Sequence, residues 1–95
     1  MIVRISGLGQ YKLDDTGVRR LDELDTKLTD ALNEGREQEF YETLRATISF
    51  IQENGQEVSA DQVVPSDVIV PPDDITMAEA KQFFTDEGLM QPLPA

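Results

Sequence analysis

The 95-residue chain contains no cysteine and no histidine. Without cysteine there is no disulfide framework, no thiolate metal site and no thiol nucleophile, which fits a reducing, cytoplasmic setting. Without histidine the chain lacks the usual general base near neutral pH and the commonest metal ligand. Basic residues are scarce: 8 against 19 acidic ones, a net charge of −11. A field of that sign repels phosphate backbones and anionic headgroups, so direct binding to nucleic acid or to a membrane surface is disfavoured. No run approaches the ~20 apolar residues of a spanning helix, and no signal-peptide pattern opens the chain. Work at a membrane would require a partner to bring the protein there.

What is present is a pair of amphipathic helices. Between Thr16 and Asn54, Val18, Leu21, Leu24, Leu28 and Leu32 recur every three or four residues, as do Phe40, Leu44, Ile48 and Ile51. That spacing places each set on one face of a 3.6-residue helix. Asp14-Asp15-Thr16 starts the first helix, with carboxylates at the positive end of its dipole. Gly35 suits the left-handed cap that ends it, and Asn54-Gly55 stops the second helix. The short connection makes the two antiparallel neighbours that bury each other's stripes. Tyr41 and Phe50 widen the second stripe, which predicts that the second helix is the most buried element. Phe40, Tyr41, Phe50, Phe83 and Phe84, at helical spacing, read as core.

Residues 1–14 read as a β-hairpin. Val3 and Ile5 alternate with Arg4 and Ser6, and Tyr11 and Leu13 with Gln10 and Lys12. A three-residue Gly7-Leu8-Gly9 loop predicts pairing of Ile5 with Tyr11 and of Val3 with Leu13, apolar face inward. Arg4 then stands opposite Lys12 on the outer face. Like charges so placed are unfavourable unless something negative lies near. Either carboxylates of this chain neutralise them, or, with Gln10, they form a contact point for an acidic partner.

The stretch 56–74 is a connector with three prolines. Ser59-Ala60-Asp61-Gln62 has the form of a capping box and can open one helical turn. Val68-Ile69-Val70 is either a short edge strand beside the hairpin or an extended segment on the core. Thr76-Met77-Ala78-Glu79 is a second capping box, with Ile75 as its staple residue. It opens a third helix from Met77 to about Glu87, with Ala80, Phe83 and Phe84 as its apolar side. The fold class expected is α+β: the hairpin packed on a helical hairpin plus a short C-terminal helix. A single domain over residues 1–90 is expected, with 91–95 a frayed tail.

Catalytic chemistry finds little to stand on. Asp14-Asp15 and Asp73-Asp74 sit beside helix starts, where capping accounts for them. Asp22 and Asp25 share a helix face but have no third ligand at metal-binding spacing. Gly7-Leu8-Gly9 lacks the lysine and the strand-to-helix context of a phosphate loop. No cofactor, metal site or catalytic residue is expected.

Two blocks carry a family likeness. Met1-Ile2-Val3-Arg4-Ile5-Ser6-Gly7 with Gly9-Gln10-Tyr11-Lys12-Leu13, and Pro65-Ser66-Asp67-Val68-Ile69-Val70-Pro71-Pro72, resemble the PspA-associated family, PspAA. The ending Asp86-Glu87-Gly88-Leu89 is similar as well. The resemblance covers nearly the whole chain. Members are encoded beside, or fused to, the coiled-coil membrane-protecting protein PspA. The resemblance implies a non-enzymatic adaptor in a phage-shock-type envelope stress response, with a PspA-like coiled-coil partner. It implies no catalytic residues and leaves the binding surface open. The residues keep one alternative: a small acidic regulator or inhibitor, antitoxin-like or a mimic of nucleic-acid charge.

Overall fold

The computed structural model describes residues 1–59, 61 and 64–83. Its elements are β1 (Ile2–Ile5), β2 (Gly9–Lys12), α1 (Asp15–Asn33), α2 (Glu37–Asn54), β3 (Gln56–Glu57), β4 (Val68–Val70) and α3 (Met77–Phe83). The strands form one mixed sheet in the order β3-β2-β1-β4. β2 runs antiparallel to both of its neighbours, and β4 runs parallel to β1. The α+β architecture read from the sequence is the one observed.

The hairpin faces are as expected, but the register is not. Val3 pairs with Tyr11, Arg4 with Gln10 and Ile5 with Gly9, two residues from the expected pairing. The turn closes around Ser6-Gly7-Leu8, with Leu8 N donating to the Ile5 carbonyl at 2.9 Å. Gly7 at φ +85° provides the positive φ that a type II turn takes at its third residue. Gly9 then serves as a strand residue at φ +114°, a value open to glycine. Met1 extends the ladder by exchanging backbone bonds with Leu13. A slip of two residues preserves every side chain's face, because the strand period is two. It also separates Arg4 from Lys12, which become diagonal neighbours and not a direct like-charge pair.

Both long helices have the expected bounds, and their ends are built from side chain and backbone. Asp14 Oδ1 accepts from Gly17 N at 2.8 Å. At the other end Gly35 takes φ +71°. Arg36 N donates to the Ala31 carbonyl at 2.8 Å and Gly35 N to that of Leu32 at 3.2 Å, a Schellman arrangement. The helices pack on each other and on the inner face of the sheet. Val3, Ile5, Val68 and Val70 meet Leu21 and Leu28 of α1 and Phe40 and Leu44 of α2 in one buried cluster. The expectation that the second helix is most buried is corrected. Seven residues of α1 are buried and five of α2, because α1 touches both α2 and α3.

Two glycines mark close approaches. A Cβ on Gly17 would lie 3.1 Å from Leu13 Cδ2, so the start of α1 seats on the end of the hairpin. A Cβ on Gly55 would lie 2.9 Å from Tyr11 Cβ and 2.6 Å from the Ile51 carbonyl oxygen. The chain leaves α2 at this point and pairs at once with β2. β3 corrects the expectation that residues 56–74 are a connector from their first residue. Both residues of β3 are exposed, and strand pairing to Tyr11 and Lys12 holds them there.

The capping box at Thr76 is formed as expected. Thr76 Oγ1 accepts from Glu79 N at 3.1 Å, and Glu79 Oε1 accepts from Thr76 N at 3.2 Å. Ile75 and Ala80, the staple pair, are both in the core. The proposed turn at residues 59–62 lies partly outside the described residues, as do the end of the third helix, Phe84 and the tail at 91–95.

Candidate functional site: the outer face of the sheet

The helices cover one face of the sheet, and among the described residues no helix covers the other. Alternation along the strands decides what that second face carries. On β1 the outward residues are Ile2 and Arg4, and on β2 they are Gln10 and Lys12. β4 adds Ile69, which is in register with Arg4. One outer row therefore reads Gln10, Arg4, Ile69. The next reads Gln56, Lys12, Ile2.

Arg4, Lys12 and Ile69 are exposed. Ile69 is 48% accessible, a large aliphatic side chain left in water beside a guanidinium. Arg4 and Lys12 make no ion pair among the described residues. The ion pairs lie on the helical side, Arg20 with Glu23 at 2.9 Å and Arg36 with Glu34 and Glu39. β1 and β2 contain no acidic residue at all. Among the described residues no carboxylate, Asp14 and Asp15 included, pairs with Arg4 or Lys12. Asp14 instead caps α1.

Gln10 is placed on this face with the two cations, but its amide has work inside the fold. β3 and β4 lie at opposite edges of the sheet, with residues 58–67 between them in the chain. Gln10 Nε2 donates to the Val64 carbonyl at 2.9 Å and to Ser66 Oγ at 2.8 Å. Val64 and Ser66, part of the crossing segment, therefore lie over the outer face at Gln10, beside Arg4. Asp67 then fixes β4 in place, its Oδ2 accepting from Ile2 N at 2.8 Å. Sequence reading missed Ile69 as a surface residue. The signal was present in the alternation of Val68-Ile69-Val70, since pointing both valines inward turns the isoleucine out.

The paired carboxylates of α1 do not converge. Asp22 is exposed and Asp25 is buried, so the two point apart despite their spacing. Among the described residues no group of three acids could hold a metal ion. Nor is any described helix long and apolar enough to cross a membrane. Phe40 is fully buried, while Tyr41 and Phe50 are partly buried against the core. The side chains of Phe83 and Phe84 lie outside the described residues.

The molecule is thus a small α+β protein in which one sheet face is built into the core and the other is presented outward with two cations and an aliphatic residue. The model of the family described as PspA-Associated protein, PspAA, matches residues 1–92, and the chain belongs to that family. The chain matches no curated protein and no solved structure. The family name points to association with PspA and names no reaction.

Proposed function

We propose that the protein is a non-enzymatic adaptor that binds a PspA-like coiled-coil protein through the outer face of its sheet. The observation that carries this reading is the combination of Arg4, Lys12 and Ile69 on a helix-free face whose hairpin strands hold no acid. A helical partner rich in both charge signs can offer carboxylates to the two cations and an aliphatic stripe to Ile69. Gln10 contributes by holding Val64 and Ser66 of the crossing segment over the outer face beside Arg4, which leaves Arg4, Lys12 and Ile69 exposed. The protein would act in the cytoplasm and reach the membrane only through its partner. Nucleic acid is disfavoured as a ligand by the net charge of −11.

The alternative, an inhibitor that mimics phosphate charge, requires an unbroken array of carboxylates. Arg19, Arg20 and Lys27 interrupt the acids of α1, and Arg45 those of α2. The geometry gives that reading no support. The test is co-purification of the tagged protein with the PspA homologue from the same genome at low salt. A complex of defined stoichiometry is expected, and no association at low ionic strength would overturn the proposal.

A further inference from the structure

A second surface lies at the tip of the hairpin. Here the turn Ser6-Gly7-Leu8 stands over the segment that leaves β4. Between them is an open cleft of about 200 Å³, lined by Ile5, Leu8, Ile48 and Pro72, with Asp73 and Asp74 on its rim. Ile5 is fully buried and Ile48 nearly so, which makes the floor apolar. Leu8 forms one lip and is 52% exposed. A cavity of ~150 Å³ lined by aliphatic and aromatic side chains accepts benzene, so the cleft has room for one aliphatic side chain.

The two carboxylates on the rim need an account. Pro72-Asp73-Asp74-Ile75 is a turn, closed by Ile75 N donating to the Pro72 carbonyl at 3.3 Å. Aspartate is common in turns because its side chain hydrogen-bonds the local backbone. Neither Asp73 nor Asp74 does so here. Among the described residues both carboxylates are without a hydrogen bond or an ion pair, and both are exposed. Turn chemistry therefore leaves them unused, and the expectation that capping accounts for them is corrected, because Thr76 and Glu79 cap α3. Two adjacent negative charges beside low-dielectric walls focus the local field on a cation.

We infer that this cleft receives an aliphatic side chain, with a neighbouring lysine or arginine held by Asp73 and Asp74, presented by a basic amphipathic helix of a partner protein. Such a helix carries an apolar residue and a cation three or four positions apart on one face, which matches an apolar floor beside an acidic rim. A second copy of this chain is a poor occupant, because two molecules of net charge −11 repel each other. This surface does not depend on the outer sheet face, which lies on the other side of the strands and would attract acids.

The probe is a synthetic alanine-based helical peptide with one central leucine and lysines three and four residues from it. It is titrated into the full-length isotope-labelled protein at low ionic strength, with amide shifts as the readout. Saturable shifts centred on Gly7, Leu8, Asp73 and Asp74 are expected. A peptide with alanine for the leucine should bind about tenfold more weakly or worse, and one with glutamates for the lysines should not bind. The variants Leu8→Ser and Asp73→Asn with Asp74→Asn, both at exposed positions, should each weaken the lysine peptide while leaving the far-ultraviolet spectrum unchanged. Shifts spread along α1 and α2, or equal binding of the leucine and alanine peptides, would mean charge attraction alone and overturn the inference. The Arg4 and Lys12 variants should bind this peptide normally, which separates this site from the outer face.

Discussion

Tyr41 on α2 donates its hydroxyl to the backbone carbonyl of Ile75, 2.5 Å away and 34 residues later in the chain. Ile75 is 5% exposed, so that carbonyl has little access to water. The bond ties the second helix to the segment that starts α3. In Tyr41→Phe the carbonyl loses its partner while the ring and its edge-on contact with Phe40 remain. A loss of about 1–3 kcal/mol is expected in urea denaturation. Amide-exchange protection should fall most in α3. An unchanged midpoint would show that the bond adds nothing to the fold.

Gly55 and Gly35 fail for different reasons when replaced by alanine. At Gly55 the backbone is ordinary, φ −83°, but the new Cβ would lie 2.6 Å from the Ile51 carbonyl. Backbone must move, at a cost of about 1–3 kcal/mol. At Gly35 there is open space, but φ is +71°. The cost there is conformational, about 1–2 kcal/mol. Shifts in amide resonances should therefore reach Tyr11 and β3 in Gly55→Ala and stay local in Gly35→Ala. The same spread of shifts in both variants would contradict the close approach at Gly55.

Leu44 is fully buried and Ile48 is 9% exposed at the edge of the hairpin-tip cleft. Leu44→Ala should cost about 2–5 kcal/mol, and Ile48→Ala should fall toward the lower end of that range. A thermal melt of Leu44→Ala that overlays the parent would place the core elsewhere.

Arg4 and Lys12 are exposed and unpaired among the described residues, so reversing them should leave the fold alone. Arg4→Glu with Lys12→Glu is expected to change stability by no more than about 0.5 kcal/mol. Co-purification with the PspA-like partner should be lost. Full binding by the folded double variant would move the interface off the outer sheet face.

Local chemistry wrote much of this structure into the sequence. The 3.6-residue stripes and the end signals at Asp14, Gly35 and Gly55 bound α1 and α2, because capping and periodicity act within one or two turns. The period of two in the hairpin decided that Arg4 and Lys12 face outward. The capping box at Thr76 was legible for the same reason, since all its donors and acceptors lie within four residues.

Tertiary structure decided what depends on distant partners. The hairpin register changed by two residues at no cost to its faces, so hydrophobic alternation had no power to choose it. The turn at Gly7 and the Met1–Leu13 pair made the choice. β3 has no side-chain signal, because backbone pairing to β2 alone defines it. Asp25 is buried in α1 although its side chain is acidic, a result of what surrounds the helix and not of its own propensity. The hairpin-tip cleft unites residues from β1 and its turn, from α2 and from the segment after β4. No sequence interval joins them, and only the parallel placement of β4 beside β1 brings Asp73 and Asp74 to Leu8.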